Sequence, residues 1–179
     1  MKKFIFILGG TRSGKSSYAV ALAKKLNKKT VFIATAAPLD KEMQTRIKLH
    51  KASRPQSWRV IEEEKNIDSV LSKISNKHKV VLIDCMGLLI SNFLMSNLKN
   101  KEIEKRIKKL INIILEIKPT IILVSNEVGS GMVPKNPLAR RFGDLLGWAN
   151  QMMAKKADEV ILMQSGIPVK IKNANFKKE

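Results

Sequence analysis

The stretch "GGTRSGKS" at residues 9–16 carries residue types that bind phosphate. It fits the pattern G-x-x-x-x-G-K-[ST], in which glycines let the backbone approach a phosphate and successive N–H groups form an anion-binding nest. A chance glycine-rich turn is the alternative, but the motif follows an apolar run and precedes a segment of helical period, as a phosphate loop does. We therefore predict a nucleoside triphosphate site formed by Gly9, Gly10, Thr11, Arg12, Ser13, Gly14, Lys15 and Ser16.

An acidic residue for the metal side of such a site stands at the end of the apolar run "VVLID". P-loop proteins hold Mg²⁺ with the serine or threonine of the loop and a carboxylate at the end of a neighbouring strand. An acid at a strand end can equally cap a helix. Because Lys15 provides the context of a phosphate loop, we predict that Ser16 and Asp84 lie at the metal.

A histidine in a basic stretch could act as a nucleophile. Near neutral pH an imidazole is substantially unprotonated, so it can attack phosphorus and form a covalent intermediate. Neighbouring cations would hold a triphosphate and offset charge that develops at the reacting phosphorus. From the residues alone, an ordinary exposed helical histidine remains the alternative for His50. Its charged neighbours in the sequence are Arg46, Lys48, Lys51 and Arg54.

Two further reactive side chains are given no role. His78 precedes a strand in a lysine-rich loop, and Cys85 follows an apolar strand, where a small buried thiol is the ordinary interpretation. A single cysteine excludes an intramolecular disulfide and suits a reducing compartment.

Short continuous apolar runs alternate with segments of helical period along the chain. Such runs are typical of central strands in a parallel sheet that is covered on both faces. The alternation predicts one α/β unit over residues 1–179, a mainly parallel sheet flanked by helices. The predicted strands are Phe4–Leu8, Thr30–Ala34, Val80–Ile83, Thr120–Ser125 and Glu159–Met163, and the predicted helices are Ser16–Leu26, Asp40–Lys51, Ile67–Ile74, Lys101–Ile117 and Pro137–Ala157.

The charge of the chain is strongly positive. Thirty-four Lys and Arg against fifteen Asp and Glu give a net charge of +19, which attracts anions such as nucleotides, nucleic acid or membrane phosphates. The lysines are scattered in short groups and aromatic residues make up only 5% of the chain, a pattern that favours solvated helix faces over a nucleic-acid surface. We therefore expect no nucleic-acid partner.

The N-terminal "MKKFIFILGG" briefly resembles a signal peptide, with two lysines before an apolar run. The run is short, lacks a small-residue cleavage pattern and continues directly into the glycine turn, so a buried strand explains it better. No other stretch approaches the roughly 20 apolar residues of a membrane span. We expect a cytoplasmic protein without a membrane span.

Longer segments resemble one enzyme family over nearly the whole chain. "IATAAPLDKEMQTRIKLHKASRPQSWRVIEE" at Ile33–Glu63 resembles the histidine segment of the bifunctional adenosylcobinamide kinase/adenosylcobinamide-phosphate guanylyltransferases. "LIDCMGLLISNFL" at Leu82–Leu94 and the stretch from Val124 to Lys172 are similar to other signatures of that family, in the same order. The resemblance implies a RecA-like P-loop NTPase fold.

The resemblance also implies roles for particular residues. Gly9 to Ser16 would hold the nucleotide phosphates, His50 would accept GMP, and Glu62 and Asp84 would complete the guanosine and metal sides. Further nucleotide contacts would come from Thr35, Ala36 and Ala37 after the second strand, and from Lys51, Ala52, Ser53 and Arg54 beside the histidine.

The activity that the resemblance implies has two steps. Adenosylcobinamide would be phosphorylated with ATP or GTP and Mg²⁺, and the adenosylcobinamide phosphate would then take GMP from the guanylylated histidine to give adenosylcobinamide-GDP in cobalamin biosynthesis. Related enzymes suggest a homo-oligomer, with a trimer as one arrangement. The rival hypotheses are a kinase in which His50 is merely structural and, ranked lower, a RecA-like ATPase stimulated by nucleic acid.

Some positions lie outside the family pattern or outside its assigned roles. Gly87 and Leu89 replace a hydroxyl residue and a tryptophan that often follow the Asp-Cys pair, and Trp148 stands where a polar or basic residue is more usual. These changes could alter corrinoid contacts or subunit packing. Glu127 follows a buried strand at the edge where α/β sheets bind ligands, so it is a candidate, with a helix or turn cap as the alternative.

Overall fold

A computed structural model describes residues 2–26, 29–38, 40–52, 54–74 and 77–173. Strands and helices alternate along this part of the chain. In chain order they are β1 (Phe4–Gly9), α1 (Lys15–Leu26), β2 (Thr30–Ala34), α2 (Lys41–Ala52), β3 (Arg59–Glu62), α3 (Ile67–Ser72), β4 (Val80–Asp84), α4 (Met86–Met95), α5 (Asn100–Glu116), β5 (Thr120–Val124), α6 (Pro137–Lys156), β6 (Glu159–Gln164) and β7 (Ile167–Lys172).

The strands form one sheet in the order β3-β2-β4-β5-β1-β6-β7. Every neighbouring pair is parallel except β6 and β7, which are antiparallel. The predicted mainly parallel α/β fold is therefore confirmed. Because six strands run the same way, their carboxyl ends meet at one edge, where the loops after β1, β2, β3, β4 and β5 come together.

Helices cover both faces of the sheet. In β1, Phe4 and Phe6 belong to a core cluster with α4, α5 and α6, while Ile5 and Ile7 face the cluster that contains α1. All six residues of this strand are buried. Such two-sided burial explains why the central strands are continuous apolar runs rather than alternating ones.

All the predicted strands and helices are present with small differences at their ends, but three elements were not predicted. β3 and β7 are edge strands whose side chains are mostly exposed, so they lack the apolar signal of the central strands. α4 is apolar on nearly every side and begins directly after β4, so it has no amphipathic period to distinguish it from a strand. Within the described residues, no helix combines the length and apolar character needed to cross a bilayer.

Candidate active site

The predicted phosphate loop connects β1 to α1 at the carboxyl edge of the sheet. A Cβ atom at Gly9 would lie 2.6 Å from the carbonyl oxygen of Met163 and 2.6 Å from Ser13 Oγ, so no side chain fits there. Gly14 has a φ of +90°, which glycine adopts at little cost. The amide of Gly166 donates to the Ser13 carbonyl at 3.1 Å, so the β6–β7 turn supports the loop from outside.

Lys15 is the first residue of α1 and is buried, with 7% of its surface exposed. Its Nζ donates a hydrogen bond of 2.6 Å to the carbonyl oxygen of Gly10. Burial lowers the pKa of Lys15, and the nearby charge of Asp84 opposes part of this effect. A buried ammonium bonded to a neutral carbonyl gains from an anionic partner, so its surroundings fit a phosphate group.

Asp84 ends β4 at the same edge, and β5 separates its strand from β1. The amide of Thr35 donates to the Asp84 carbonyl at 3.1 Å. The Thr35 hydroxyl accepts from the amide of Cys85 at 2.7 Å and donates to its carbonyl at 2.8 Å. Thr35 is fully buried, so its side chain holds the backbone around Asp84 in place.

The two residues after Thr35 were also predicted to line the nucleotide. Ala36 is half-buried and Ala37 is buried in the loop that follows β2. The Thr35 hydroxyl is already bonded to the backbone of Cys85. Contacts of Thr35, Ala36 and Ala37 with a nucleotide stay a prediction.

Cys85 follows Asp84 through a cis peptide bond and is buried. Burial and the charge of Asp84 raise the pKa of Cys85 to about 12. The thiol is therefore protonated at neutral pH and poorly nucleophilic, which confirms the interpretation of a small buried side chain.

The end of α2 and the residues after it lie against the carboxyl ends of β2 and β3. Lys51 Nζ is 2.5 Å from Glu62 Oε1, and the Arg54 guanidinium lies 3.8 Å from the centre of the Phe32 ring. Burial lowers the pKa of Arg54, whereas the charges of Asp84 and Glu62 raise it. Among the described residues, the buried Nη1 of Arg54 has no hydrogen-bond partner. Lys51, Arg54 and Glu62, which the resemblance predicted, are thus brought together, with Glu62 as the carboxylate that both basic side chains share.

His50 belongs to α2, one position before Lys51. The side chains of His50 and Ala52, and Ser53 as a whole, lie outside the described residues. None of the described side chains of α2 is buried, and Leu49 is 67% exposed. The backbone therefore places His50 next to Lys51, whose ion pair joins α2 to β3, on a helix whose described side chains are not buried.

Asn92 was not predicted as a functional residue. It is buried in α4, and its Nδ2 donates to the carbonyl oxygens of Thr35 at 2.8 Å and Glu64 at 2.9 Å. The sequence carries one signal for it, a polar residue inside the otherwise apolar stretch "MGLLISNFLM". That signal identifies a buried amide that needs partners but does not identify the partners.

The loop after β5 lies beside the phosphate loop, because the amide of Glu127 donates to the Gly9 carbonyl at 2.9 Å. The Glu127 side chain accepts a hydrogen bond of 2.7 Å from the amide of Gly129. This contact is the turn cap that the sequence analysis gave as the alternative role for Glu127. Buried Asn150 accepts a bond of 2.7 Å from the hydroxyl of Ser125. This loop is held by its own hydrogen bonds.

The positions that depart from the family pattern lie in helices. A Cβ at Gly87 would be 3.6 Å from Asn126, which is an ordinary contact, so the site has room for a side chain. Leu89 is buried in the core, and Trp148 is half-buried with Lys108 Nζ 5.8 Å from its ring centre. Their effect on corrinoid contacts or subunit packing stays a prediction.

The candidate metal ligands are oxygen atoms, the hydroxyl of Ser16 and the carboxylate of Asp84. Mg²⁺ commonly uses one or two protein oxygens and completes its shell with phosphate and water. No group of three or more His, Cys, Asp and Glu side chains that could hold a metal occurs among the residues that the structure describes. The donor set therefore fits a nucleotide-bound Mg²⁺ better than a metal held by protein alone.

The fold is shared with P-loop ATPases of known structure. One solved ATPase domain has a TM-score of 0.56 at 13% identity, covering 97% of this chain and 78% of that one. The RadB recombinase has a TM-score of 0.52 at 13% identity, covering 89% and 73%. Together with the phosphate loop, these likenesses define a P-loop NTPase, and at this identity they show the fold alone.

Sequence comparison gives the family. The family model "Cobinamide kinase / cobinamide phosphate guanyltransferase" matches residues 5–171. The bifunctional adenosylcobalamin biosynthesis protein CobU of Escherichia coli (strain K12) is 38% identical, covering 94% of this chain and 99% of the relative. CobU of Salmonella typhimurium is 37% identical with the same coverage, and CobP of Pseudomonas aeruginosa is 37% identical, covering 93% and 95%. The chain belongs to the cobinamide kinase/cobinamide phosphate guanyltransferase family, as its motifs predicted.

Proposed function

We propose that this chain is a bifunctional enzyme of cobalamin biosynthesis that carries out two transfers to one corrinoid substrate. It phosphorylates the aminopropanol hydroxyl of adenosylcobinamide with ATP or GTP, and it then transfers GMP from GTP to the adenosylcobinamide phosphate. The product is adenosylcobinamide-GDP. Family membership and nearly full-length relatives named as bifunctional adenosylcobalamin biosynthesis proteins support this assignment.

The observation that carries the proposal is the convergence of two segments on Asp84. The charge of Asp84 raises the pKa of both Lys15 and Arg54, against the lowering by burial, and its backbone pairs with the end of β2, where its carbonyl accepts the amide of Thr35 at 3.1 Å. A triphosphate on the loop would therefore have Lys15 on one side and the basic end of the His50 segment on the other. That arrangement supports chemistry at two different phosphorus atoms of a nucleotide in one region.

In the kinase step, the oxygen of the substrate hydroxyl attacks the γ-phosphorus and the bond to the β-phosphate oxygen breaks. Lys15 would neutralise charge on the outer phosphates, and backbone N–H groups of Gly14 and its neighbours would orient them. Ser16 and Asp84 would hold Mg²⁺, which supplies electrostatic stabilisation of the phosphates when bound. The loop thus positions the donor rather than forming a covalent bond to it.

In the guanylyl step, His50 would attack the α-phosphorus of GTP and displace pyrophosphate. A phosphate oxygen of adenosylcobinamide phosphate would then attack the same phosphorus and release the histidine. Lys51 and Arg54 would offset the negative charge that develops during both displacements. Two substitutions through a covalent intermediate replace one direct transfer.

Incubation with GTP labelled at the α-phosphate tests the histidine. The wild-type protein should acquire acid-labile, alkali-stable label, and His50→Ala should acquire none while it keeps phosphoryl transfer. His78→Ala is the matched control, because it removes the other histidine and should be labelled like the wild type. Label on His50→Ala, or unlabelled wild type with active kinase, would contradict the guanylyltransferase assignment and favour the kinase-only hypothesis.

The remaining expectations stay predictions. They are the homo-oligomer with a trimer as one arrangement, the lack of a nucleic-acid partner, the cytoplasmic location and the organisation of residues 1–179 as one domain. The scattered lysine groups support the second of these.

A further inference from the structure

The amide of Asn92 bonds two different loops at once. It lies in α4 with 5% of its surface exposed, and both bonds leave from the same nitrogen, to the carbonyls of Thr35 and Glu64. A primary amide has two N–H donors, so this nitrogen can serve both acceptors fully. The side chain is therefore a bridge rather than a cap of one turn.

The two carbonyls stand just beyond the point where the backbone ladder between β2 and β3 ends. The last paired residues are Ala34 and Glu62, and the amide of Glu63 donates to the Ala34 carbonyl at 2.9 Å. Past this bond the two chain segments are joined by Asn92 through Thr35 and Glu64. The bridge thus continues the connection between the strands by one side-chain link.

The segment between the two bridged carbonyls contains α2 and therefore His50. The described contacts of α2 are superficial, since none of its described side chains is buried and the ion pair of Lys51 with Glu62 is exposed. Surface ion pairs contribute little to position because solvent screens them. The buried bridge, by contrast, joins the two ends of the segment that carries α2.

We infer that Asn92 is a positioning residue for the guanylyl step, which holds together the two ends of the segment that carries His50. The inference rests on the role proposed for that histidine. The kinase step depends less on the bridge, because the phosphate loop has separate supports in the bonds from Glu127 to Gly9 and from Gly166 to Ser13. Loss of the bridge should therefore change the ratio of the two activities.

The test compares two buried asparagines. Asn92→Leu removes the bridge with little change of volume, and Asn150→Leu is the matched control. Asn150 is 6% exposed, and its Nδ2 donates to the Asn126 carbonyl at 3.0 Å, in the loop after β5 rather than in the segment that carries α2. Each variant leaves buried polar groups unpaired, so both should lose stability to a similar degree.

Three quantities are measured for the full chain: the rate of labelling from α-labelled GTP, the rate of phosphoryl transfer, and amide hydrogen exchange in residues 41–52. In Asn92→Leu, labelling should fall about tenfold more than phosphoryl transfer, and exchange in α2 should become faster, because a lost bridge loosens the segment locally. In Asn150→Leu, labelling should not fall more than phosphoryl transfer, and the exchange of α2 should match the wild type, because the bonds of Asn150 hold the loop beside the phosphate loop and not the segment that carries α2.

A folded Asn92→Leu protein with an unchanged ratio and unchanged exchange would overturn the inference, as would an equal change in Asn150→Leu. If Asn92→Leu fails to fold, Asn92→Asp keeps the size and places an acceptor against the two carbonyls, so it should show the same pattern. If the wild type acquires no label on His50, the proposed guanylyl step is wrong, while the exchange comparison still decides whether Asn92 holds the segment.

Discussion

The phosphate loop and α2 differ in how the fold holds them. Lys15 is buried, and α1 behind it packs Ala19 and Ala23 into the core with no exposed surface. In α2, by contrast, no described side chain is buried, and Leu49 is 67% exposed. The phosphate loop is therefore held by the packed core around the sheet. The helix α2, which carries the proposed nucleophile His50, depends on contacts at its ends.

The path of the chain explains this contrast. A connection between parallel strands must return from the carboxyl edge of the sheet to the amino edge. Here Lys51 in the last turn of α2 reaches Glu62 at the carboxyl end of β3, and residues 54–58, with Trp58 buried, lead into β3. None of the described side chains of α2 is buried, so this helix covers little of the core.

The largest effect should come from Lys15→Met. Loss of a preorganised cation at the transferring phosphate should reduce the rate of phosphoryl transfer by about 10³-fold. The free energy of unfolding should not decrease, because the change removes a buried charge whose pKa is already lowered by burial. Steady-state kinetics and denaturant unfolding measure the two quantities.

Lys24→Met is the control for this change, since Lys24 stands in the last turn of the same helix and is exposed. It should keep the wild-type rate. Activity that persists in Lys15→Met would mean that the buried loop is not where the outer phosphates bind.

The next effect concerns cysteine reactivity in the two regions. Cys85 is buried with its pKa raised to about 12, so iodoacetamide should react with it slowly even at pH 9. Leu49→Cys places a second thiol on the exposed face of α2, which should react about 100-fold faster than Cys85 because its thiolate forms near the usual pKa. Mass spectrometry of the labelled peptides gives both rates. Similar rates of reaction at positions 85 and 49 would contradict the difference in burial between the two regions.

The smallest effect should come from Lys51→Ala. Its ion pair with Glu62 is about half exposed on both sides, so the free energy of unfolding should fall by less than about 1 kcal/mol. The rate of labelling from α-labelled GTP should fall by less than about fivefold, because Glu62 and solvent already screen most of the charge that Lys51 could present to the reacting phosphate. Lys41→Ala, at the exposed start of α2, should change neither quantity. A loss as large as that of His50→Ala would show that this surface contact fixes the helix by itself.

Much of the phosphate-binding region could be predicted from the sequence, because its signals are local. The apolar run of β1, the glycines and Lys15 are consecutive, and Asp84 ends another apolar run. The fold class followed from the same runs. The order of the strands in the sheet, with β5 between β1 and β4, depends on contacts between residues that are distant in sequence. No short stretch of sequence indicates that order.

The α2 region was predicted mainly through resemblance, since its residues alone allowed an ordinary exposed histidine. Periodicity located the helix itself, but not the contact of its last turn with Glu62 of β3. The stacking of Arg54 on Phe32 and the bridge from Asn92 to Thr35 join residues that are distant in sequence through tertiary packing alone. Such contacts depend on geometry that composition and spacing do not carry.

The exposed helix α2 lies between two strands, β2 and β3, that pair with each other directly, and this arrangement has a consequence for how the segment can be altered. A P-loop protein of this topology could gain or lose a helix at this point without altering any strand of its sheet or the register between strands. The proposed guanylyl chemistry would then reside in one exposed segment that can be altered separately from the phosphate-binding core.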